Sequence, residues 1–325
     1  MKELEYSDVC RDVVEAVAGV APDEEVLVVT DPLMVDVARP IAAAARATGA
    51  ATSLLVKPRL AAHNVEPPAA VGGAMREADV VFDAGTHDLA HTDARRNASA
   101  SGTRVVLMRG VSEATMMDEM DTDYDELRRV TRAVARLQTE ATTGRLTSER
   151  GTDLTLDLTD SEGFPIDDGF DSGLVVLPAG KSAITPAGGD GTVVVDGSID
   201  DVGLLDDPVE LTVSEGRVTD IEGEAEAERL RDLLAGKGEC ARNLAEGPSV
   251  GTNPDVSLTG NQATDKKKRG TAHVAVGDDV TLGGSVECDV HLDMTIRRPT
   301  VALDGFVVVD EGRFREAAVL DRAGE

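Results

Sequence analysis

The sequence predicts an α/β protein of two domains: a doubly wound parallel sheet, followed by a β-rich α+β domain. Short apolar runs alternate with helix-like stretches over residues 1–143, and this alternation is typical of a parallel sheet covered by helices. Over residues 144–325, strand-like runs are separated by Gly, Pro and Asp, which favour hairpin turns. A chain of 325 residues is long enough for two such cores.

Four apolar runs in the first domain suit strands that are buried on both faces. They are residues 25–30, 51–56, 79–84 and 103–108. Three helices are predicted in this domain. The first covers residues 34–48 and ends at Gly49, the second follows Pro67 and Pro68, and the third covers residues 125–142. No Gly-x-Gly-x-x-Gly motif follows the first strand, so the sequence does not support a dinucleotide site.

The second domain is predicted to contain mostly short strands with one helix at residues 225–235. The strand-like runs are residues 152–159, 173–180, 191–199, 209–218, 271–277, 289–296 and 300–310.

The charge balance is strongly acidic. The chain has 61 Asp and Glu against 32 Lys and Arg, a formal net charge of −29, and this acid is spread along the whole sequence. In molar salt the Debye length falls to about 3 Å and screens the resulting self-repulsion, so the composition indicates an extreme halophile. Nucleic acid is excluded as a partner at this charge. The basic cluster 266–269 is interpreted as a solvated loop, or alternatively as a group that attracts a carboxylate-bearing ligand.

The N-terminal segment, the apolar runs and the cysteine spacing together predict a cytoplasmic protein. No run of eighteen apolar residues is present, and the acidic N-terminus has no apolar signal segment. Cys10, Cys240 and Cys288 lie far apart, which argues against a disulfide framework and for a reducing compartment.

His291 and Asp293 alternate with apolar residues in the run 289–297. On a strand, residues i and i+2 share a face, so the imidazole and the carboxylate project side by side over an apolar face. One nitrogen and one oxygen donor can then converge on a single cation. The alternative, which spacing alone favours, is a hydrogen-bonded pair on a solvated face.

Two further residues are candidates for the same site. His273 lies in the strand-like run GTAHVAVG, where glycines permit close approach of a ligand, and its alternative is a buried core histidine. Glu246 lies in the segment NLAEGPSVGTNP, which is interpreted as an irregular loop. A loop acid is usually solvated, and Glu246 becomes interesting only if it faces the histidines.

His87 and His91 have the i, i+4 spacing of a zinc-binding helix. Asp88 replaces the glutamate that would act as the base, and the segment follows a strand rather than lying within an apolar helix. A loop that lines a cleft at the carboxyl end of a parallel strand is the better interpretation.

The order of four motifs resembles a known family. AEGPSVGTNP, GTAHVAVG, DVHLDM and RRPTVALDG follow one another as in the C-terminal domain of the aminopeptidase T metallopeptidases and of their relatives, which include 2,5-dihydroxypyridine dioxygenases. The segment from LPAGK to DGSI also resembles this family, and the first half of the chain agrees more weakly.

The resemblance implies a metal site and a homodimer. It makes Glu246, His273, His291 and Asp293 ligands of a divalent ion, which is zinc, cobalt or iron. Lys181 stands where the family's first glutamate ligand is expected. A protonated lysine has no lone pair for a metal, so the site is predicted to hold one ion or none.

Three functions follow from these residues. The first is a metal-dependent, aminopeptidase-like hydrolase acting on a peptide or another small molecule, in which Glu246 bridges the metal and the attacking water. The second is a mononuclear Fe(II) ring-opening dioxygenase, which the loss of the carboxylate at Lys181 suggests. The third is a non-catalytic protein that has kept the fold.

Overall fold

The computed structural model describes residues 7–325 except residues 63, 91, 109, 110, 113, 114, 117, 118, 168 and 170–173. The chain forms two compact units. The first unit comprises residues 1–124 and 168–179, and the second comprises residues 125–167 and 180–325. A parallel sheet with helices in the first unit and antiparallel sheets in the second confirm the predicted fold class. The domain boundary at residue 143 stays a prediction.

A five-stranded parallel sheet organises the first unit, with the strand order β2-β1-β3-β4-β8. Its strands are β1 (Glu25–Thr30), β2 (Ala51–Val56), β3 (Val80–Ala84), β4 (Arg104–Leu107) and β8 (Leu174–Val176). Its helices are α1 (Ser7–Asp12, continued by a π-helical turn at Val13–Val17), α2 (Val35–Ala47), α3 (Ala69–Glu77) and α4 (Asp93–Ala100). Among the described residues, no helix is long and apolar enough to cross a bilayer.

The predicted strands of the first unit match the structure to within one residue at each end. Strand β3 is buried along its whole length, as expected for a strand covered on both faces. Helix α2 ends before Gly49, whose φ of +101° only glycine adopts readily. The run 173–180 was predicted as a strand of the second domain. In the structure Leu174–Val176 pair in parallel with β4 and extend the sheet of the first unit.

Buried charges lie near the carboxyl ends of these strands. Asp31 follows β1, Lys57 follows β2 and Asp83 lies in β3, and each of the three is almost wholly buried. Burial raises the pKa of Asp83 to about 7, although the Lys57 ammonium and the backbone N–H of Leu89 act in the opposite direction. Asp83 therefore binds a proton more tightly in the folded chain than in the unfolded chain.

Two antiparallel sheets make up the second unit. The first has the order β14-β13-β10-β6-β5-β18-β19-β20, and the second, called the ligand sheet below, has the order β12-β11-β17-β16-β15-β9-β7. The strands are β5 (Thr143–Thr147), β6 (Asp153–Asp157), β7 (Gly163–Ile166), β9 (Lys181–Ile184), β10 (Gly188–Val195), β11 (Ser198–Ile199), β12 (Gly203–Leu204), β13 (Val209–Ser214), β14 (Arg217–Glu222), β15 (Leu244–Gly251), β16 (Ala272–Gly277), β17 (His291–Ile296), β18 (Thr300–Leu303), β19 (Phe306–Asp310) and β20 (Arg313–Phe314).

Helices complete the second unit. They are α5 (Tyr124–Glu140), which belongs to this unit from Asp125 onward, α6 (Ala225–Leu234), α7 (Gln262–Asp265) and α8 (Glu316–Ala323), with 3-10 turns at Glu239–Arg242 and Val280–Leu282. Apolar residues of both sheets and of α5, α6 and α8 join in one buried cluster.

Apolar and polar residues alternate along β16 and β17, and this alternation determines which side chains lie on each face of the ligand sheet. Val274 and Val276 of β16, with Leu292 and Met294 of β17, belong to the buried apolar cluster. Residues between them point away from that cluster, because successive side chains of a strand alternate between its faces. The polar residues of both strands therefore share the opposite face.

A disulfide joins Cys240 to Cys288, so the expectation that the cysteines are unpaired is wrong for these two. They are 48 residues apart in sequence, but the turn Glu239–Arg242 and the segment before β17 bring their Cα atoms to 5.7 Å. This separation lies in the range that a disulfide requires. Cysteine spacing therefore no longer supports a reducing compartment.

We expect Asp83→Asn to reduce the dependence of stability on pH. A carboxyl whose folded pKa is raised contributes stability that is complete below its unfolded value of about 4 and is lost as pH rises through about 7. The variant should match the native chain at pH 4 and exceed it at pH 8 by at most about 4 kcal/mol. Urea unfolding in molar salt measures this, with the exposed Asp153→Asn as control. Parallel pH profiles for the native chain and the variant would contradict the prediction.

Removing the disulfide should lower the free energy of unfolding. Closing a loop of 48 residues restricts the unfolded chain, and the loss on opening it is at most about 4 kcal/mol. The comparison is the native chain with and without reductant, and the variant Cys240→Ser/Cys288→Ser under both conditions. Reductant should lower the stability of the native chain to that of the variant. A native chain that is insensitive to reductant would argue against the bond.

Candidate metal centre

Four side chains that the sequence singled out meet on the polar face of the ligand sheet. His273 lies on β16, His291 and Asp293 lie on β17, and Glu246 lies on β15. In the strand register Ala275 is opposite both Glu246 and Asp293. The methyl side chain of Ala275 leaves space between the two carboxylates.

Glu246 lies in a strand, so its assignment to an irregular loop is wrong. The whole of β15 is buried, and it pairs with β16 on one side and with β9 on the other. The register shifts twice along β15, on either side of Glu246, and the Gly247–Pro248 peptide is cis. Gly and Pro made the sequence resemble a loop, but here they accompany bulges that turn the Glu246 carboxylate toward the histidines.

The nitrogen and oxygen atoms of these residues converge. His273 Nε2 lies 3.0 Å from Glu246 Oε2 and 3.7 Å from Asp293 Oδ1. His291 Nε2 lies 3.3 Å from Glu246 Oε1 and 3.8 Å from Asp293 Oδ2. Within the described part of the chain, ligand atoms of Glu246, His273 and Asp293 all fall within 4.8 Å of one another.

Lys181 lies inside this group. Its Nζ donates hydrogen bonds to Glu246 Oε2 at 2.9 Å and Oε1 at 3.1 Å, and lies 3.3 Å from His273 Nε2 and 3.8 Å from Asp293 Oδ1. Its side chain is only 3% exposed. The ammonium therefore occupies the place of a cation on the Glu246 side of the site.

Lys266 supplies a second cation, which the sequence pattern did not predict at this site. It directly follows α7, and its Nζ contacts Asp293 Oδ2. The neighbouring Lys267 is buried, so the interpretation of residues 266–269 as a solvated loop is wrong for both of these lysines. A run of basic residues carries no signal of the distant strand that one member contacts.

The two lysines hold both carboxylates ionised. Burial alone would raise the pKa of Glu246, but the Lys181 ammonium and hydrogen bonds from both histidines bring it well below its usual value. Burial alone would also raise the pKa of Asp293, but Lys266, Lys181 and His291 together bring it well below its usual value. Both carboxylates are therefore negatively charged in the folded chain.

The two imidazoles differ in their surroundings. Burial and the Lys181 ammonium lower the pKa of His273, against the opposing effect of Glu246, so its ring is neutral. Burial also acts to lower the pKa of His291, but Asp293 and Glu246 outweigh it and raise the value to about 10. His291 is the more accessible of the two, with 30% of its side chain exposed against none for His273.

Neighbouring polar groups orient the ligands. His291 Nδ1 donates a hydrogen bond of 2.7 Å to the carbonyl oxygen of Asp278, which directs Nε2 toward the carboxylates. A backbone carbonyl on the far nitrogen is the usual partner of a metal-binding imidazole. Ser249 Oγ donates to Glu246 Oε2 at 3.1 Å.

These residues fit one divalent ion. His273, His291 and Asp293 offer two imidazole nitrogens and one carboxylate, with His273 Nε2 3.7 Å from Asp293 Oδ1 and His291 Nε2 3.8 Å from Asp293 Oδ2. Imidazole nitrogens and carboxylate oxygens are donors that a divalent ion binds. Asp293 Oδ1 is buried without a hydrogen-bond partner, as a carboxylate oxygen directed at a cation would be. An ion close to Glu246 would meet the Lys181 ammonium, which lies 2.9 Å from Glu246 Oε2.

The other two candidate histidines stay without an assigned role. His87 is half-buried in the first unit, just after β3, as the predicted position at the carboxyl end of a parallel strand requires. His91 lies outside the described residues.

Comparison with known proteins gives one family match. The family model described as NicX, 2,5-dihydroxypyridine 5,6-dioxygenase, matches residues 5–316. No curated protein sequence matches the chain.

Two solved structures are similar over nearly the whole chain. The 2,5-dihydroxypyridine dioxygenase from Pseudomonas putida has a TM-score of 0.82 and 20% identity, covering 96% of this chain and 97% of its own. Wild-type AmpT from Thermus thermophilus has a TM-score of 0.71 and 15% identity, covering 97% of this chain and 100% of its own. At these identities the two structures show the fold alone.

We expect Lys181→Met to destabilise the metal-free chain by roughly 3–5 kcal/mol, because Glu246 would lose the ammonium that compensates its buried charge. Urea unfolding with a chelator present measures this loss. Adding Glu246→Gln to the variant should recover most of the stability, and Lys268→Met is the control. A loss below about 1 kcal/mol, the size of a surface pair, would contradict the importance of the buried pair.

Proposed function

The chain belongs to the NicX family of 2,5-dihydroxypyridine 5,6-dioxygenases, and we propose that it is a mononuclear, Fe(II)-dependent ring-opening dioxygenase. One observation carries the proposal. The Lys181 ammonium is bonded to Glu246, which leaves His273, His291 and Asp293 as the ligands for one ion. Two imidazoles and one carboxylate with open positions are the donor set of non-haem Fe(II) oxygenases.

The aminopeptidase-like hydrolase predicted from the sequence is wrong. The family model that matches residues 5–316 is that of a dioxygenase. The prediction relied on the order of motifs, which the resemblance assigned to peptidases and dioxygenases alike. Lys181 was the informative residue, because an ammonium in place of a carboxylate removes a ligand that a pair of ions would need.

Each residue then has a physical task. His273, His291 and Asp293 would hold the ion, and strands β16 and β17 fix their spacing. Glu246 accepts hydrogen bonds from Lys181 and Ser249, so we assign it to positioning and charge balance rather than to metal binding. When bound, Fe(II) supplies the centre at which O₂ and a ring hydroxyl are brought together for oxidation.

The accessible side of the site is the side of His291. Glu246, Lys181, His273 and Asp293 are nearly inaccessible, whereas His291 is 30% exposed. We propose that the substrate, a small dihydroxylated pyridine or benzene ring, approaches the ion past the His291 imidazole. Excluding water from the buried side strengthens the interactions of the charged residues there.

Several expectations from the sequence stay predictions. The net charge of −29 supports adaptation to molar salt. The homodimer and the cytoplasmic location are further proposals.

The test is anaerobic loading with Fe(II), followed by oxygen uptake with 2,5-dihydroxypyridine in molar salt. We expect one ion per chain and consumption of one O₂ per ring opened. Asp293→Asn should lower both metal affinity and oxygen uptake by at least about a hundredfold, because it removes the charged ligand. Asp310→Asn, an exposed residue on β19, is the matched control.

Two results would count against the proposal. A chain that binds no Fe(II), Co²⁺ or Zn²⁺ would favour the non-catalytic alternative. A chain that binds Fe(II) but consumes no oxygen with any dihydroxylated ring would show that the metal site serves another reaction.

A further inference from the structure

We propose that Lys181 and Lys266 each occupy one cation position of this site in the metal-free chain. Lys181 fills one position permanently and limits the site to one divalent ion. Lys266 fills the other position only in the metal-free chain, and an incoming ion displaces its ammonium from Asp293. The inference rests on the proposed metal site but not on the reaction proposed for it.

Lys181 is fixed by its surroundings. It is the first residue of β9, which pairs with β7 on one side and β15 on the other. Its Nζ is bonded to both oxygens of Glu246, and its side chain is 3% exposed. Moving this ammonium away would leave the Glu246 carboxylate buried without a compensating cation, which is strongly unfavourable.

Lys266 has the opposite character. It lies outside any strand, directly after the four-residue helix α7, and 14% of its side chain is exposed. Its flexible stem of four carbons allows the ammonium to move toward water without moving the backbone. Lys266 contacts Asp293 Oδ2, and this carboxylate is a proposed ligand of the ion.

The charge balance requires one of the cations to leave. In the metal-free chain the Lys181 ammonium lies against the Glu246 carboxylate and the Lys266 ammonium against the Asp293 carboxylate, so each buried carboxylate already has a cationic partner. A divalent ion added to this set would place two positive charges without partners in a buried site. Displacing the Lys266 ammonium removes the repulsion between it and an ion that shares the same carboxylate.

Metal affinity in variants tests the competition directly. Lys266→Met keeps most of the side-chain volume and removes the competing charge. Its dissociation constant for Zn²⁺ or Co²⁺, measured by calorimetry in molar salt, should be lower by at least about tenfold, within the range found for close charged pairs. Lys268→Met is the matched control, because the Lys268 ammonium bonds to the carbonyl oxygen of Val256 instead. The control should bind the ion as the native chain does.

A second measurement uses the native chain and needs no variant. Reductive methylation followed by mass spectrometry reports how accessible each lysine amine is. Adding Zn²⁺ should raise the reactivity of Lys266 several-fold relative to Lys268, while Lys181 stays protected in both states. Elemental analysis of the same samples should give one ion per native chain, and two per chain for Lys181→Glu purified with Zn²⁺.

The outcomes separate this inference from the proposed reaction. If Zn²⁺ binds with no change at Lys266, and Lys266→Met binds it no more tightly, the inference is overturned even if the chain consumes oxygen. A single ion in Lys181→Glu would overturn the role of Lys181. If Lys266 is displaced as expected but no dihydroxylated ring is oxidised, the inference stands and the proposed reaction fails. A native chain that binds no ion would overturn both.

Discussion

The Lys181 ammonium and the Glu246 carboxylate lie 2.9 Å apart on neighbouring strands, and both side chains are almost completely buried. Because the carboxylate is bonded to the ammonium, it is not available as an unpaired metal ligand. The three donors that are left form a set suited to a single ion. We propose that the lysine at this position limits the site to one ion, and that this limit selects among the chemistries that the shared fold can perform.

The remaining geometry comes from the sheet. The proposed ligands on β16 and β17 are held at the spacing of paired strands, and alternate residues of both strands pack in the buried apolar cluster. A site on strands is more precise than one on loops, because regular hydrogen bonding defines every Cβ position. Lys266, whose ammonium we propose an incoming ion displaces, lies outside the strands.

Local sequence patterns predicted what depends on local physics. Strand alternation placed His291 and Asp293 on one face of a strand, and the apolar runs located the first four strands of the parallel sheet. The patterns missed contacts made at long range. Glu246 was placed in a loop because the bulges beside it use Gly and Pro, and Lys266 was left in solvent because its partner lies on a distant strand. The pairing of Cys240 with a cysteine 48 residues away likewise depends on tertiary structure.

The period-2 pattern of β16 and β17 has a consequence for folding. A slip of one residue between the two strands would turn either His273 or Asp293 into the apolar core and place Val274 or Met294 among the charged groups of the opposite face. A mispaired sheet would therefore bury charges without partners while losing apolar burial, so both penalties act together. The polar residues of the proposed site therefore also disfavour wrong strand pairings. A chain that lacked them would fold with a less strongly defined register.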